Sequence, residues 1–420
     1  MRLKIEKFVY GGHGIGYDEG KSFFVPYTLP GEEVEVEILK DKKSYCECEL
    51  KRIVNTSPLR QEPPCSYYQL CGGCDIQHTP YQNQINLKVE MLKEQLIRVG
   101  KLDKEIDEVV VESMEAFRYR NRVQFKFDGK NFGFYRKESN QIVDVSSCLI
   151  LKEDIDELIR PLKRFLIKYG LCPSSIHIFS NEKNEKVVRF VFKDRSDLLN
   201  VVPRIDIIHE EISPLIRGVT FEADGQKLGL GEGFLFYRVN GYLFRVSIDS
   251  FFQVNKFLVG RLISKVIGEI GDEGFKRVLD FYCGVGTFSI PTGFYAGEVL
   301  GIESNDSAVR DAKANVRHNN LKNVKFLKAK VEKGLKYAFD FKPECIIFDP
   351  PRGGVGRDVI GRISNISQVR KIVYVSCNPS TLARDVTYLA KYSFNLRRIK
   401  LVDMFPQTHH IESISVFERD

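Results

Sequence analysis

Of all the stretches in this chain, Arg277-Val278-Leu279-Asp280-Phe281-Tyr282-Cys283-Gly284-Val285-Gly286 leaves the fewest folds open. It reads as a short buried strand ending in an acid and a glycine turn, ahead of a helical stretch that begins near Thr287. A second strand, Val299 to Ile302, ends at Glu303. Further strands follow near Val324 to Leu327, Cys345 to Phe348 and Lys371 to Ser376, then Leu396 to Val402 and Ser413 to Glu418. Strands alternating with helical segments imply a parallel sheet covered by helices, so residues 241–420 are expected to form a Rossmann-like α/β domain. Ligands of such sheets gather at the carboxyl edge of the parallel strands. Asp280, Glu303, Asp349 and Cys377 each fall just past a strand end. If the last two strands form a hairpin, the loop from Asp403 to Glu412 reaches the same edge.

Gly284 and Gly286 let a ligand approach the backbone closely, and the Glu303 carboxylate can accept hydrogen bonds from both hydroxyls of a ribose. Any nucleoside-bearing cofactor satisfies that pattern. A dinucleotide is the competing reading, but its fingerprint has a third glycine where this chain has Ser289, and no strong pyrophosphate site follows. S-adenosylmethionine has no phosphate to cradle, and its sulfonium and ammonium cations favour carboxylates such as Asp280. The residues therefore point to a methyl-donor site. Ser376-Cys377-Asn378-Pro379 ends a strongly β-patterned run, which sets Cys377 beside the cofactor loop; a buried packing cysteine is the plainer alternative.

Residues 1–56 alternate in short stretches, clearest in Glu33-Val34-Glu35-Val36-Glu37-Ile38, and are punctuated by glycines, the pattern of a small OB-like β-barrel. Gly11-Gly12-His13-Gly14-Ile15-Gly16 is read as turns, because no amphipathic helix follows to complete an anion site. Residues 57–240 are expected to form a central α+β domain, β-rich from 117 with one helix near 152–169. Its helix from Tyr81 to Gly100, with Ile85, Val89, Leu92, Leu96 and Ile97 at helical spacing, is a candidate to pack on the catalytic domain. Cys65, Cys71, Cys74 and the distant Cys148 make four candidate thiolate ligands, for which spacing alone favours structural zinc. Cys46, Cys48, Cys172 and Cys345 have no comparable case, and Cys283 is expected to pack behind the cofactor.

The formal net charge of +7 is modest for this length, so it allows a nucleic-acid partner without requiring one. Arg118-Tyr119-Arg120-Asn121-Arg122-Val123-Gln124-Phe125-Lys126-Phe127 alternates strictly. As one regular strand it would put Arg118, Arg120, Arg122 and Lys126 on a face able to track RNA phosphates. The longest apolar runs fall far short of the roughly 18 residues a membrane span needs. With no secretory pattern in Met1 to Tyr10 and ten cysteines in a large chain, a cytoplasmic, reduced protein is expected, with no membrane association and no obligate protein partner.

Ser250-Phe251-Phe252-Gln253-Val254-Asn255, Asp280 to Gly286, Asp349-Pro350-Pro351-Arg352, Val375 to Pro379 and Pro406 to Ser413 together resemble, in order and spacing, the RNA uracil-5-methyltransferases. Phe24-Val25-Pro26 and Pro30-Gly31-Glu32 make the N-terminal segment similar to a TRAM domain, a small RNA-binding barrel. The resemblance implies a methyl group moved from S-adenosylmethionine to carbon-5 of uridine in rRNA or tRNA. It implies Cys377 as nucleophile and Glu412 as the base that removes the C5 proton, with Gln253, Tyr282, Glu303 and Asp349 against cofactor or target base. It also implies a [4Fe-4S] cluster on Cys65, Cys71, Cys74 and Cys148, with zinc as the alternative. Lys330 departs from the pattern, since the family often has Asp or Asn near that position beside the adenine.

The residue types suit this chemistry on their own account. Carbon-5 of uracil is a poor nucleophile until a thiolate adds at C6 and forms an enolate, and cysteine is both a good nucleophile and a good leaving group. Two other readings are an RNA cytosine-5-methyltransferase and a non-catalytic RNA-binding iron–sulfur protein. The first often has a cysteine within the motif matching Asp349 to Arg352, which is absent here, and the second has no use for both Cys377 and Glu412.

Overall fold

Fully buried apolar runs such as Cys345-Ile346-Ile347-Phe348 suit a sheet covered on both faces, and the C-terminal half is built that way. The computed structural model describes residues 1–102, 108–111, 113–201, 205–212 and 214–420. Among these residues no helix is long and apolar enough to cross a membrane.

The N-terminal segment forms a six-stranded sheet in the order β1-β5-β6-β4-β3-β2. Its strands are β1 (Arg2–Lys4), β2 (Lys7–Val9), β3 (His13–Asp18), β4 (Lys21–Pro26), β5 (Glu33–Asp41) and β6 (Tyr45–Asn55). Alternation puts Leu3, Phe23, Val25, Val34, Val36, Cys46 and Cys48 in one small core. A main-chain bond from Ile5 to the Glu32 carbonyl ties the end of the first strand to the start of the fifth, and one from Glu6 to the Ile15 carbonyl ties it to the third.

Helix α1 (Tyr81–Arg98) follows the cysteine-bearing loop, then β7 (Glu108–Val111). The central sheet runs β10-β9-β8-β11-β12-β13-β14, from β8 (Arg122–Phe127), β9 (Phe132–Tyr135), β10 (Ile142–Asp144), β11 (Ser175–Ser180), β12 (Lys186–Val191), β13 (Gly218–Ala223) and β14 (Gln226–Gly231). Among the described residues four helices accompany it: α2 (Glu153–Asp156), α3 (Ile159–Tyr169), α4 (Arg195–Val201) and α5 (Ile205–Ile212). The single helix expected near 152–169 is therefore two. The last pair, seven and eight residues long, carries too few turns for a readable period.

A hairpin of β15 (Phe234–Val239) and β16 (Tyr242–Ser247) spans residue 240, and its Leu235, Tyr237, Phe244 and Val246 belong to the core of the C-terminal sheet. That sheet runs β19-β18-β17-β20-β21-β23-β22-β7. Parallel strands β17 (Arg277–Phe281), β18 (Glu298–Glu303), β19 (Val324–Lys328), β20 (Cys345–Phe348) and β21 (Lys371–Ser376) are joined to the antiparallel pair β22 (Phe394–Val402) and β23 (Glu412–Arg419). Helices α6 (Val259–Gly268), α7 (Ser289–Thr292), α8 (Asp306–His318), α9 (Val331–Phe341), α10 (Arg357–Ile363) and α11 (Pro379–Ala390) complete the chain. The helix expected from Thr287 is one turn long and ends at Gly293. Helix α1 packs on α11 and sends Leu87, Met91, Leu92 and Leu96 into the apolar layer that also holds Phe8 and Leu29 of the N-terminal sheet. The N-terminal unit, the cysteine loop and α1 thus press on one face of the catalytic sheet.

Candidate active site

The carboxyl edge of the parallel strands gathers an unusual density of acid. Asp280, at the end of β17, is fully buried, with one oxygen accepting from the Ser289 hydroxyl and the other without a partner. Burial, reinforced by Asp349 and Glu303 and only partly opposed by that hydroxyl, pushes its carboxyl up to about 8. Beyond it Tyr282 adopts φ 62° and donates its N–H to the Ile302 carbonyl. Gly284 follows at φ 55° with open space where a Cβ would project, and Gly286 at φ 86° with Phe326 2.9 Å from that position. The first glycine leaves room for a ligand; the second lets the turn close against the core.

Glu303, ending β18, accepts from the Gly284 N–H at 3.1 Å and from the Ser304 and Asn305 N–H groups at 2.6 and 2.7 Å. Those bonds fix its orientation, and the carboxylate's remaining lone-pair positions can take hydroxyl groups. Tyr282, Glu303, Ala329, Lys330 and Glu332 line a cavity of about 210 Å³, with Lys330 preceding the first turn of α9. A nucleoside fits the donor set: a buried unpartnered carboxylate oxygen, a ribose-type acid and an aromatic ring.

The neighbouring strand ends carry the remaining candidates. Asp349 follows β20, Cys377 follows β21, and Glu412 begins β23, whose antiparallel pairing of Ser413 with Ser376 brings it to the same edge. Burial, with the Glu303 charge behind it, holds Asp349 up to about 7. Glu412 is buried and, with Asp349 nearby, is raised well above the usual carboxylate range. The Cys377 thiol is pushed up to about 12 by burial, then by Glu412 and Asp349, with Arg352 working in the opposite direction. Arg352 is therefore the cation on this rim that favours a thiolate. The Asn378 side chain caps α11 and also donates to the Arg352 carbonyl at 3.0 Å, fixing Cys377 between two held residues.

Gln253 lies 3% exposed on a segment tied down from several sides. The Ser250 hydroxyl donates to Asp311 at 2.6 Å, Asn121 N–H bonds the Val254 carbonyl, and Asn255 donates to the Met404 carbonyl at 3.2 Å. Phe251, next to it, is 61% exposed, an aromatic face left open beside a rigid strap.

The loop that delivers Glu412 is held by distant parts of the chain. Lys88 and Asp403, both with no exposed side chain, pair at 2.5 Å, and Lys88 also donates to the Phe405 carbonyl at 2.9 Å. Gln84 donates to the Gln407 side chain at 2.9 Å, and the Tyr119 hydroxyl donates to the Pro406 carbonyl at 3.0 Å. The Tyr10 ring reaches the rim from the N-terminal sheet: it meets His409 edge-on at 5.6 Å, and burial raises its hydroxyl above its ordinary value. None of these partners follows from local pattern, since Gln84 alone is 323 residues from Gln407 and Tyr10 lies farther still from His409.

Cys65, Cys71, Cys74 and Cys148 line one cavity of about 260 Å³, with Val123, Phe134, Val145 and Leu151 as apolar neighbours. Burial raises the Cys71, Cys74 and Cys148 thiols. Among the described residues, no three His, Cys, Asp or Glu side chains converge tightly enough to hold a single metal ion. Cys46 and Cys48 fill the N-terminal core, Cys283 and Cys345 the catalytic core, and Cys172 is exposed.

The strand face expected to carry four cations is corrected. Arg118 adopts φ 54°, which breaks the pleat, and β8 begins only at Arg122. The Arg118 guanidinium pairs with Asp156 at 3.0 Å and donates to the Cys148 and Leu151 carbonyls, bracing the fourth cysteine. Arg122 donates to the Ser250 and Ile248 carbonyls and so holds the Gln253 strap. Arg120 donates to the Arg122 carbonyl at 2.9 Å and lines the cysteine cavity, while Lys126 lies 5.2 Å over the Tyr135 ring. Two of the four are thus internal braces rather than an open phosphate track.

The description "tRNA (uracil-5-)-methyltransferase" belongs to the family model that matches residues 80–420, and a TRAM domain model matches residues 1–51. An uncharacterized RNA methyltransferase of Aquifex aeolicus is 38% identical, with 100% of this chain and 98% of that protein covered. Another from Thermotoga maritima is 32% identical over 98% of this chain and 97% of its own length. Among solved structures, the tRNA (uracil-54, C5)-methyltransferase of Pyrococcus abyssi, in complex with S-adenosyl-L-homocysteine, superposes with a TM-score of 0.76 at 27% identity, covering 99% of this chain and 100% of that one.

Proposed function

The chain belongs to the tRNA (uracil-5-)-methyltransferase family, and on that premise we propose that it methylates carbon-5 of uridine in RNA through a covalent adduct to Cys377. The observation that supports this reading is the meeting of Cys377, Glu412 and Asp349 on the rim that also carries Asp280 and Glu303, the residues proposed to hold the nucleoside. S-adenosylmethionine, bound there, supplies an electrophilic methyl group on a cationic sulfonium. Asp280 and Asp349 give the anionic surroundings such a cation needs, and Glu303 orients the ribose. Gln253 is held rigidly enough to position the target base.

Cys377, as thiolate, adds to C6 of the uracil, and the electrons displaced from the C5–C6 bond rest on the O4 enolate. Arg352 favours the charged form of the sulfur. C5 then takes the methyl group as the donor's C–S bond breaks with its electron pair staying on sulfur, leaving C5 with both a methyl and a proton. Glu412, as carboxylate, removes that proton; the C5–C6 double bond reforms and the sulfur leaves as thiolate. Two paired functions, a nucleophile and a separate base, account for both residues.

The four thiols suit a [4Fe-4S] cluster, because a cavity of about 260 Å³ offers room for a multi-atom centre and the donor set is all sulfur. A cluster there would cross-link the Cys65–Cys74 loop to Cys148. The TRAM-like unit and half-exposed cations such as Lys126 are the proposed contacts to the RNA backbone. Incubation with methyl-labelled S-adenosylmethionine and RNA from cells lacking this protein tests the reading. Wild type should form 5-methyluridine, and Cys377→Ala should bind the cofactor normally yet form none. Turnover by Cys377→Ala within about tenfold of wild type, about 1.4 kcal/mol in barrier, would remove Cys377 from the mechanism.

A further inference from the structure

The loop from Asp403 to Ile411 is gripped in two halves. Helix α1 and the central unit hold residues 403–407, as described above. The half next to Glu412 is held differently, by the loop that carries the cysteines. Asp75 and Ile76 donate their N–H groups to the Gln407 carbonyl at 3.0 and 3.2 Å. The Asp75 carboxylate accepts from His409 twice, from the ring Nδ1 at 2.7 Å and from the main-chain N–H at 3.3 Å. Its other oxygen lies 3.7 Å from the Lys137 ammonium. The neighbouring His410 ring is 3.3 Å from the Arg352 guanidinium, whose main chain is bonded to Asn378 beside Cys377.

We propose that Asp75 is a positioning residue for the Glu412 base: through His409 it clamps the cysteine loop onto the catalytic loop. This rests on the reading of Glu412 as the base. Asp75 follows Cys74 directly, so whatever fixes the cysteine loop also fixes the strand entry at Glu412. Losing the clamp weakens the elimination step, which needs Glu412, and spares thiolate attack and methyl transfer, which do not.

Asp75→Ala should lower kcat about tenfold while the KM values for S-adenosylmethionine and RNA stay within about twofold, and methylated protein–RNA adduct should build up. Asp75→Asn, whose amide oxygen can still accept from His409, should recover most of the rate. Amide hydrogen exchange across residues 403–411, measured on protein without RNA or cofactor, should be faster in Asp75→Ala and not in Asp75→Asn. His409→Ala probes the same pair from the other side and should behave like Asp75→Ala. An unchanged kcat, a KM that rises as far as kcat falls, or no recovery with Asn overturns the clamp. Glu412→Gln run alongside separates the two claims. If it accumulates adduct and Asp75→Ala does not, the clamp alone fails; if Glu412→Gln turns over normally, the base assignment fails.

Discussion

At the scale of single residues, the site is defined by carboxyl groups kept from ionising. Asp280 and Asp349 are held up to about 8 and about 7, chiefly by burial. An unfolded aspartate titrates near about 3.9, so between that value and the folded ones the folded protein holds more protons than the unfolded chain. Stability from these groups therefore falls as pH rises through the folded values. A cationic ligand favours the ionised forms and reverses the trend. Affinity for S-adenosylmethionine should rise between about pH 6 and about pH 8, with protons released on binding. Titration calorimetry in two buffers of different ionisation enthalpy measures that release. S-adenosylhomocysteine, which lacks the sulfonium charge, should release fewer protons; equal release, or an affinity flat with pH, would contradict this electrostatic account.

At the scale of elements, what could be read from sequence was what local pattern encodes. Strand ends placed Asp280, Glu303, Asp349 and Cys377 on one edge because each strand is a short apolar run with its own stop signal. Arg118 to Arg122 misled for the same reason in reverse: strict alternation suggests a strand, but the positive φ at Arg118 and the main-chain carbonyls that claim the guanidinium groups are tertiary facts. Helix α1 showed only part of its apolar stripe, since Ile97 is 58% exposed while Leu87 and Met91 are buried, and its functional face is the polar pair Gln84 and Lys88, whose partners lie more than three hundred residues on. The cysteine loop is likewise legible as a ligand set and silent about what it holds. Read as a cluster site, it predicts about four irons per chain in anaerobically prepared protein. One tightly bound zinc and no iron would contradict that reading.

At the scale of the whole molecule, three units meet at one rim. The N-terminal sheet contributes Tyr10, the central unit contributes Tyr119 and, from its cysteine loop, Asp75, and the catalytic unit contributes Asn255 and the reactive groups. In the proposed mechanism the rim divides its labour in time: Cys377 makes the bond to C6 and Glu412 acts only afterwards. Glu412→Gln isolates that order, because neither thiolate attack nor methyl transfer needs a base at C5. Intact mass of the denatured product, formed from ordinary uridine RNA and S-adenosylmethionine, reads it directly. The expected product is a covalent protein–RNA complex heavier by one methyl group and attached at Cys377. Normal turnover by the mutant, or no adduct despite binding of RNA and cofactor, would contradict it.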